Sequence, residues 1–194
     1  MNEEKEREIL VGVLGIQGSV EEHVEKLGDI GVQALIVKDE EALRMIDGLI
    51  MPGGESTTIG LLLKKTGLDK AIKKRIKEGM PVWGTCAGAI LLAKELVTEK
   101  ADSLKLMNIA IARNAYGRQA DSFECELEFD GEMIPAVFIR APKIVDTGEG
   151  VEILALHGSE IVAAREENIM VTSFHPELTE SSKVHQYFVK MCGG

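Results

Sequence analysis

The sequence predicts an α/β fold, with a mainly parallel central sheet, helices on both faces and an antiparallel hairpin extension. Short runs that are apolar throughout, such as "ILVGVLGI" at 9–16, alternate with amphipathic segments in the first half of the chain. Strands of this kind are typical of parallel sheets that are covered on both sides. In the second half, two strand-like runs at 123–139 surround Asp130-Gly131, a dipeptide that favours a tight hairpin turn.

Each element of this fold follows from hydrophobic spacing and turn residues. In the first half, strands are predicted at 9–16, 32–37, 48–54 and 81–84. The intervening helices are predicted at 19–31, 40–46, 57–67, 68–79 and 87–96. After the hairpin, further strands are predicted within 151–158 and 160–174, and an amphipathic helix at 182–192. The sequence has no repeat, low-complexity tract or linker, so one domain over residues 1–194 is the simplest interpretation.

Composition limits the classes of partner and compartment. The chain carries 22 Lys and Arg against 32 Asp and Glu, a net charge of −10, so we expect neither a nucleic-acid nor a membrane partner. Its start, "MNEEKEREIL", differs from a secretory signal or transit peptide, and no apolar stretch is long enough to span a membrane. The 3 cysteines match neither a disulfide framework nor a zinc pattern. These features favour a cytoplasmic protein.

The segment "GTCAG" at 84–88 has the spacing of a nucleophile elbow, a sharp turn between a strand and a helix. The turn exposes Cys86 at the sheet edge, and the N-terminus of the helix favours its thiolate form. Glycine is expected at 84 and 88 because side chains there would clash with the neighbouring strand and helix. The N–H of Ala87 would face a developing oxyanion. The alternative is a buried structural cysteine, the usual interpretation of a cysteine without such flanking residues.

A nucleophilic cysteine needs a general base, and His175 is the best placed of the 4 histidines. It follows an apolar strand, and Pro176 favours an extended backbone at His175. Residues two apart in an extended segment point the same way, so Glu177 can hold one ring nitrogen while the other takes the thiol proton. His-x-Glu alone is a weak signal. Together with a nucleophile elbow, it predicts a Cys-His-Glu triad.

The remaining cysteines and histidines are predicted to lie outside this site. Cys125 falls in a hairpin strand and Cys192 at the chain end, and neither has flanking glycines. His23 and His185 lie on helices and are predicted to be solvated surface residues. His157 ends a strand, and nothing in the sequence orients it.

The glycine-rich turn "MPGGEST" at 51–57 is a candidate for the second part of an oxyanion hole. Glycine N–H groups at the carboxyl end of a strand can approach a bound substrate closely. An ordinary turn is the alternative. A phosphate loop is disfavoured because the segment lacks the Gly-Lys-Ser/Thr ending of a Walker motif.

Several segments together resemble the class I glutamine amidotransferases, and within them the family of glutaminase subunits of pyridoxal 5′-phosphate synthase. The likeness runs in the same order from about Val11 to Phe188, and it implies the flavodoxin-like three-layer sandwich of that class. Ile90 stands where many other amidotransferases carry Gln. The segments are "GVLGIQGSVEEH", "LIMPGGESTTIGLLL", "PVWGTCAGAILLA", "ARNAYGRQ", "VFIRAP" and "VTSFHPELT".

The resemblance implies a glutamine hydrolase. Cys86 would attack the side-chain carboxamide and form a γ-glutamyl thioester, and His175, oriented by Glu177, would take the thiol proton and pass it to ammonia. The residues implied to form or shape the oxyanion hole are Gly53, Gly54 and Ala87. Those implied to bind glutamine are Gly53, Gly54, Glu55, Arg113, Ile139 and Arg140. Glu55 suits the α-ammonium and the arginines suit the α-carboxylate, with a surface ion pair as the alternative for each arginine.

The resemblance also implies a partner and no cofactor. In this family, ammonia passes to a separate (β/α)8-barrel synthase subunit, so pyridoxal 5′-phosphate is the partner's product, and no metal is expected. The glutaminase is implied to be nearly silent until that subunit docks. As a hypothesis, docking turns the Gly53–Gly54 peptide so that an N–H faces the oxyanion, with help from Gln17 at the same sheet edge.

Other interpretations stay open at this point. The chain could be the glutaminase of a synthase from another pathway. It could also be a redox protein similar to the DJ-1/PfpI group, which has a cysteine at a similar elbow but needs neither the arginines nor His-Pro-Glu. A non-catalytic assembly subunit is disfavoured by the intact Cys, His and Glu.

Overall fold

The computed structural model describes residues 8–97, 103–113 and 122–193. The strands are β1 (Leu10–Leu14), β2 (Gln33–Val37), β3 (Gly48–Met51), β4 (Val82–Thr85), β5 (Ala93–Leu96), β6 (Met107–Ala112), β7 (Ser122–Phe129), β8 (Glu132–Ile139), β9 (Lys143–Thr147), β10 (Glu152–His157), β11 (Glu160–Glu166) and β12 (Ile169–Thr172). The helices are α1 (Val20–Asp29), α2 (Glu40–Met45), α3 (Ser56–Thr66), α4 (Leu68–Lys77), α5 (Ala87–Leu92) and α6 (Lys183–Gly193), with a 3₁₀ turn at Pro176–Leu178.

The central sheet is mixed, and its parallel part carries the elbow. The strand order is β2-β1-β3-β4-β12-β11-β9-β6-β5, with β10 paired to β11. The neighbouring strands from β2 to β12 pair parallel, as do β5 and β6. Strand β11 pairs antiparallel with both β12 and β9, and β9 also pairs antiparallel with β6. Strands β7 and β8 form a separate antiparallel hairpin. The predicted α/β fold with a hairpin extension is confirmed, and it has a larger antiparallel part than the sequence patterns indicated.

Hydrophobic cores lie on both faces of the sheet, as the continuous apolar strands predicted. Along β3 and β4, Ile50 and Trp83 pack on the face covered by α1, α6 and the hairpin, whereas Leu49 and Val82 pack on the face covered by α2 to α5. All four side chains are fully buried. Because successive strand residues point to opposite faces, a strand buried on both sides has to be apolar at every position.

The structure confirms the predicted hairpin at Asp130-Gly131, and the φ angles of both residues fit a tight turn. Asp130 has φ 50° and Gly131 has φ 75°. Positive φ at both central residues is the requirement of a type I′ turn, which matches the right-handed twist of the flanking strands. The register pairs Ser122 with Ile139 at the open end of the hairpin. This register brings the end of β8 to the carboxyl edge of the central sheet, where the turn after β12 also lies.

The predicted helix at 87–96 is too long. Helix α5 ends at Leu92, and the next four residues form β5, in which Ala93 pairs with Met107 of β6. The run "AKEL" has good helical propensity, but propensity is a weak preference that strand pairing overrides here. Strands β6 and β9 were not predicted at all.

Two further predictions concern the chain start and membranes. Residues 1–7 of the acidic start lie outside the described residues. Within the described ranges, no helix has both the length and the apolar character needed to cross a bilayer.

Candidate active site

Cys86 occupies a strained turn between β4 and α5. Its backbone has φ 48° and ψ −102°, a conformation that residues with a side chain rarely adopt. Such strain costs on the order of 1–3 kcal/mol and persists only where the surroundings impose it. Here the Cys86 N–H donates to Thr172 O at 2.8 Å, which ties the turn to β12. The side chain is 9% exposed at the sheet edge.

The two glycines of the elbow are required by contact distances. A Cβ added at Gly84 would lie 2.5 Å from the carbonyl carbon of Gly88, in the first turn of α5. A Cβ added at Gly88 would lie 2.0 Å from Met51 O, at the end of β3. The predicted clash with the neighbouring helix and strand is confirmed at both positions.

His175 is held from its backbone and from its ring. Its N–H donates to Val137 O of β8 at 2.8 Å, so the hairpin fixes the segment after β12. Its Nδ1 lies 2.7 Å from Glu177 Oε1, and the ring also hydrogen bonds to Cys86. Pro176 begins the 3₁₀ turn, which places the carboxylate two residues along against the ring. The structure therefore brings the three residues of the predicted triad together.

The electrostatics of the triad favour a protonated His175 beside an ionised Glu177. Burial by itself would lower the pKa of His175, but hydrogen bonds to Cys86 and Glu177 outweigh it and raise that pKa to about 10. Burial would raise the pKa of Glu177, but the nearby His23 ring and hydrogen bonds from His175 and Ser19 lower it to about 2. At neutral pH, Glu177 is a carboxylate and His175 holds a proton.

The turn after β3 lies directly against the triad. A Cβ added at Gly53 would lie 2.4 Å from His175 Cε1 and 3.5 Å from Cys86 Cβ. The Gly53 carbonyl oxygen accepts a hydrogen bond from the Ser19 N–H at 3.3 Å. In a planar trans peptide, this orientation holds the Gly54 N–H on the side away from Ser19.

Gln17 anchors the same turn from the end of the first strand segment. Its Oε1 accepts a hydrogen bond from the Glu55 N–H at 2.9 Å. Gly18, with φ 109°, passes so close to the turn that an added Cβ would lie 1.6 Å from Gly53 O. The predicted location of Gln17 at this sheet edge is confirmed.

A cleft of about 570 Å³ opens above these residues. It contains every residue that the sequence analysis assigned to the oxyanion hole or to substrate binding, together with the predicted nucleophile and the predicted base. The predicted residues that line it are Gly53, Gly54, Glu55, Cys86, Ala87, Arg113, Ile139, Arg140 and His175. Glu177 lies behind His175 with its side chain fully buried.

Glu55 and Arg113 contact each other at one side of the cleft. The Glu55 carboxylate caps α3, accepting from the N–H groups of Thr57 and Thr58 at 3.0 and 2.7 Å and from Thr58 Oγ1 at 2.6 Å. These hydrogen bonds, those from Thr58 above all, lower the pKa of Glu55 to about 2. Arg113 Nη2 lies 3.4 Å from Glu55 Oε1, so this arginine forms the ion pair that the sequence analysis gave as the alternative.

Ile139 and Arg140 enter the cleft from the end of β8. The Cys86 thiol lies 3.9 Å from Ile139 O. Arg140 has φ 43°, a second strained backbone next to the cleft, and its side chain is exposed. The rest of the "RNAYGRQ" motif, from residue 114 onward, lies outside the described residues.

Comparison with known families identifies this arrangement. Residues 13–193 match the SNO glutamine amidotransferase family. The chain belongs to this family. A protein of Thermotoga petrophila named "Pyridoxal 5'-phosphate synthase subunit PdxT" is 50% identical over 184 residues, which cover 93% of this chain and 98% of that protein. The resemblance predicted from the sequence motifs is therefore confirmed.

Solved structures give the same result for the fold. A crystal structure of a glutamine amidotransferase is 45% identical and has a TM-score of 0.91 over 95% of this chain and 99% of that one. The structure of PurLQS from Thermotoga maritima has a TM-score of 0.73 at 16% identity, over 95% of this chain and 99% of that one. The second likeness concerns the fold alone. The class I amidotransferase sandwich predicted from the sequence is confirmed.

The prediction that His23 and His185 are surface residues is wrong. Both rings are fully buried and lie behind Glu177. A local signal existed, since His23 shares the buried face of α1 with Val20 and Leu27, three residues before and four residues after it. On α6, His185 is buried with Phe188 three residues later. Charged neighbours in the sequence concealed this spacing.

Ser19 is a further site residue that the sequence analysis missed. It precedes α1, where serine commonly caps the helix with its side chain. Here it makes no side-chain cap, and its hydroxyl donates instead to Glu177 Oε1 at 2.8 Å. The Glu177 carboxylate therefore receives hydrogen bonds from residues at both ends of the chain.

Cys125 and Cys192 do not line the cleft, in agreement with the prediction. Cys125 lies on β7 and Cys192 on α6, and burial raises the pKa of each thiol, that of Cys192 to about 12. His157 ends β10 as predicted, and its ring lies beside Phe123 and Phe138. In the part of the chain that the structure describes, no group of His, Cys, Asp and Glu is arranged to hold a metal ion.

Proposed function

We propose that this chain is the glutaminase subunit of a pyridoxal 5′-phosphate synthase and hydrolyses L-glutamine to L-glutamate and ammonia. The observation that carries the proposal is the cleft in which a strained cysteine thiol, a protonated histidine and two arginines meet, in a chain of the SNO family. We also propose that residues 1–194 form one glutamine amidotransferase domain. Its compartment is proposed to be the cytoplasm, on the pattern of its cysteines.

Cys86 is the nucleophile. Its sulfur attacks the side-chain carboxamide carbon of glutamine, a carbon–sulfur bond forms, and the carbonyl oxygen becomes an oxyanion. Because the pKa of His175 is raised to about 10, the proton is already on the imidazole before attack. The first task of His175 is thus to act as an acid: it donates this proton to the departing nitrogen, and ammonia leaves.

Water completes the cycle. After ammonia has left, His175 is neutral and takes a proton from a water molecule that attacks the γ-glutamyl thioester. The carbon–sulfur bond breaks, glutamate leaves, and the thiolate and imidazolium are restored. Glu177 stays ionised throughout, keeps Nδ1 protonated and stabilises the imidazolium.

The oxyanion is stabilised by backbone N–H groups around the elbow. Ala87 begins α5, and the first N–H groups of a helix have no partner within the helix. The Gly53–Gly54 turn lies on the other side of Cys86 and supplies the second donor. Because glycine tolerates either orientation of this peptide, docking of the partner selects the orientation that completes the hole.

Glutamine is held by its α-substituents at the open side of the cleft. Glu55 binds the α-ammonium through the part of its carboxylate that faces the cleft, since its side chain is 48% exposed. Arg113 and Arg140 bind the α-carboxylate, and Ile139 contributes its backbone. The ion pair between Glu55 and Arg113 orients both charges before substrate arrives.

Ammonia is transferred to a second subunit rather than released. The proposed partner is a (β/α)8-barrel synthase that makes pyridoxal 5′-phosphate, so this chain itself needs no cofactor. Docking of that subunit raises glutaminase activity. The alternative function, that of a glutaminase subunit from another pathway, predicts that a different synthase would raise the activity.

The test is ammonia release from glutamine, with and without the synthase subunit, for the wild type, Cys86→Ala and Cys125→Ala. The proposal expects the synthase to raise turnover, Cys86→Ala to abolish it and Cys125→Ala to retain it. Full activity of Cys86→Ala would refute the assigned nucleophile. Equal activity with and without the synthase would refute the dependence on the partner.

A further inference from the structure

Two buried histidines form a continuous line behind the triad. His23 Nδ1 lies 2.9 Å from His185 Nε2, and His23 Nε2 lies 3.5 Å from Glu177 Oε2. Both rings are fully buried. The line therefore runs from the Cys86 thiol through His175 and Glu177 into the core between α1 and α6.

The surroundings keep both rings neutral. Burial is the main cause that lowers the pKa of His23, and it lowers that of His185 well below the usual range. Trp83 meets both rings edge-on, with centroids at 5.4 and 4.8 Å. The charged and titratable groups that act on the two rings, besides each other, are Glu177, His175, Glu22 and Lys26.

The hydrogen-bond requirements fix one arrangement of protons. Glu177 is ionised and only accepts, so His23 must present a protonated Nε2 to Oε2, an N–H that Thr85 Oγ1 shares at 3.4 Å. A neutral ring has one N–H, so His23 Nδ1 is an acceptor and His185 Nε2 is its donor. His185 Nδ1 is then a bare nitrogen, and it has no hydrogen-bond partner among the described residues.

The two carboxylate oxygens of Glu177 face different donor groups. Oε1 receives His175 Nδ1 at 2.7 Å and Ser19 Oγ at 2.8 Å. Oε2 makes no hydrogen bond within the usual limits to any described residue, and the His23 N–H is the donor directed at it. A buried carboxylate oxygen without a donor is costly, so removal of this N–H would let the carboxylate rotate and release the His175 ring.

We propose that His23 and His185 are positioning residues for the glutaminase reaction: the His185 N–H donates to His23 Nδ1, and the His23 N–H is directed at the second oxygen of Glu177. The inference rests on the proposed function, since it assigns a task to residues behind the same triad. A neutral relay orients the carboxylate without competing with His175 for its negative charge. Protonation of His23 would add a cation beside His175 and lower the pKa of His175.

The first test compares ring removal with a replacement that keeps one donor. His23→Phe keeps an aromatic ring but loses the hydrogen bond with His185 and the N–H directed at Glu177 Oε2. In His23→Gln, the amide nitrogen can take the place of Nε2. In the complex with the synthase, we expect His23→Phe to lower kcat by roughly tenfold or more, the scale typical when a partner behind a reacting group is removed. We expect KM for glutamine to stay within about twofold, because the ring does not touch the cleft.

The outcomes for the two variants decide the inference. We expect His23→Gln to recover most of kcat, and His157→Phe, the same substitution outside the network, to behave as the wild type. Wild-type kcat in His23→Phe would overturn the inference. Equal losses of kcat in His23→Phe and His23→Gln would also overturn it, because packing and not the donor would then matter.

The second test does not depend on activity or on the folding of a variant. In ¹⁵N NMR of the wild-type chain with labelled histidine, His23 and His185 should each show a protonated Nε2 and a bare Nδ1 at pH 7, and each should gain its second proton only at a lower pH than an unperturbed histidine. A doubly protonated His23 would overturn the proposal. Absence of glutaminase activity in the wild-type complex would instead refute the proposed function and leave the tautomer result standing.

Discussion

On the cleft side of the His175 ring, the side chains are charged and reach solvent, whereas on its inner side they are buried and largely neutral. Glu55 and Arg113 form an ion pair at 3.4 Å in which the carboxylate side chain is 48% exposed. On the inner side, Glu177 and His23 lie 3.5 Å apart with both side chains fully buried. The first region can exchange partners when a substrate arrives, and the second is fixed by the core.

Position alone separates the histidines of this network. The pKa of His175 rises to about 10, although burial opposes it, because it bonds to a thiol and a carboxylate. The pKa of His23 falls, because burial outweighs the attraction of the same Glu177. One ring therefore carries the mobile proton, and the rings behind it stay neutral.

The largest effect is expected in the inner region, at Glu177. Glu177→Gln keeps the shape but replaces the acceptor of Nδ1 by an amide, which removes the charge that stabilises the imidazolium. We expect kcat to fall on the order of 10⁴-fold, as when the carboxylate of a comparable triad is replaced. Steady-state ammonia release in the synthase complex measures it.

The pH dependence of Cys86 alkylation is the control for this variant. In Glu177→Gln the pKa of His175 should fall, because the hydrogen-bonded carboxylate that helps to raise it is lost. Cys86 then loses a cationic neighbour at neutral pH, and its alkylation at pH 7 should slow. Unchanged alkylation together with wild-type kcat would show that the inner region is dispensable.

A smaller effect is expected from crowding the cleft side of the ring. In Gly53→Ala, the new methyl would lie 2.4 Å from His175 Cε1 and would displace the imidazole. Gly53 has no positive φ, so the substitution acts through space and not through backbone strain. We expect kcat to fall roughly 100-fold, the scale for a misplacement of about 1 Å.

Gly28→Ala is the matched control, since a Cβ at Gly28 on α1 meets no atom within 4 Å. It should retain wild-type kcat, and helix propensity predicts a gain in stability of about 0.5–1 kcal/mol. If Gly53→Ala were as active as Gly28→Ala, the result would refute the close contact between the Gly53 turn and the His175 ring.

The smallest effect is expected at the exposed edge of the cleft. Arg113→Ala removes the proposed charge-assisted contact to the α-carboxylate, which predicts a roughly tenfold rise in KM for glutamine with little change in kcat. Arg44→Ala is the control, because Arg44 forms an exposed ion pair with Glu40 at 2.7 Å on α2, outside the cleft. Equal KM values for the two variants would remove Arg113 from the substrate site.

Local patterns predicted the parallel part of the fold and most of the site. The elbow was recognisable because Gly84 is demanded by a contact within the strand-turn-helix unit and Gly88 by a contact with the neighbouring strand β3. The Asp130-Gly131 turn was recognisable because its φ values are open to few residue types. The proximity of Cys86 to His175 followed from the rule that parallel strands present their carboxyl ends at one edge.

What the sequence did not reveal depends on contacts between distant segments. Strand β5 replaces a segment with helical propensity because β6 pairs with it. His23 and His185 are 162 positions apart, and neither segment alone indicates that it meets the other. The strained backbone of Arg140 likewise depends on where β8 ends and on the packing around the cleft.

The most direct test of the central claim is covalent trapping of the synthase complex with a glutamine analogue that carries an electrophilic ketone at the γ-position, followed by peptide mass mapping. We expect one adduct, on Cys86, which excess glutamine prevents and which His175→Asn slows. An adduct on Cys125 or Cys192, or labelling of Cys86 that glutamine does not slow, would contradict it.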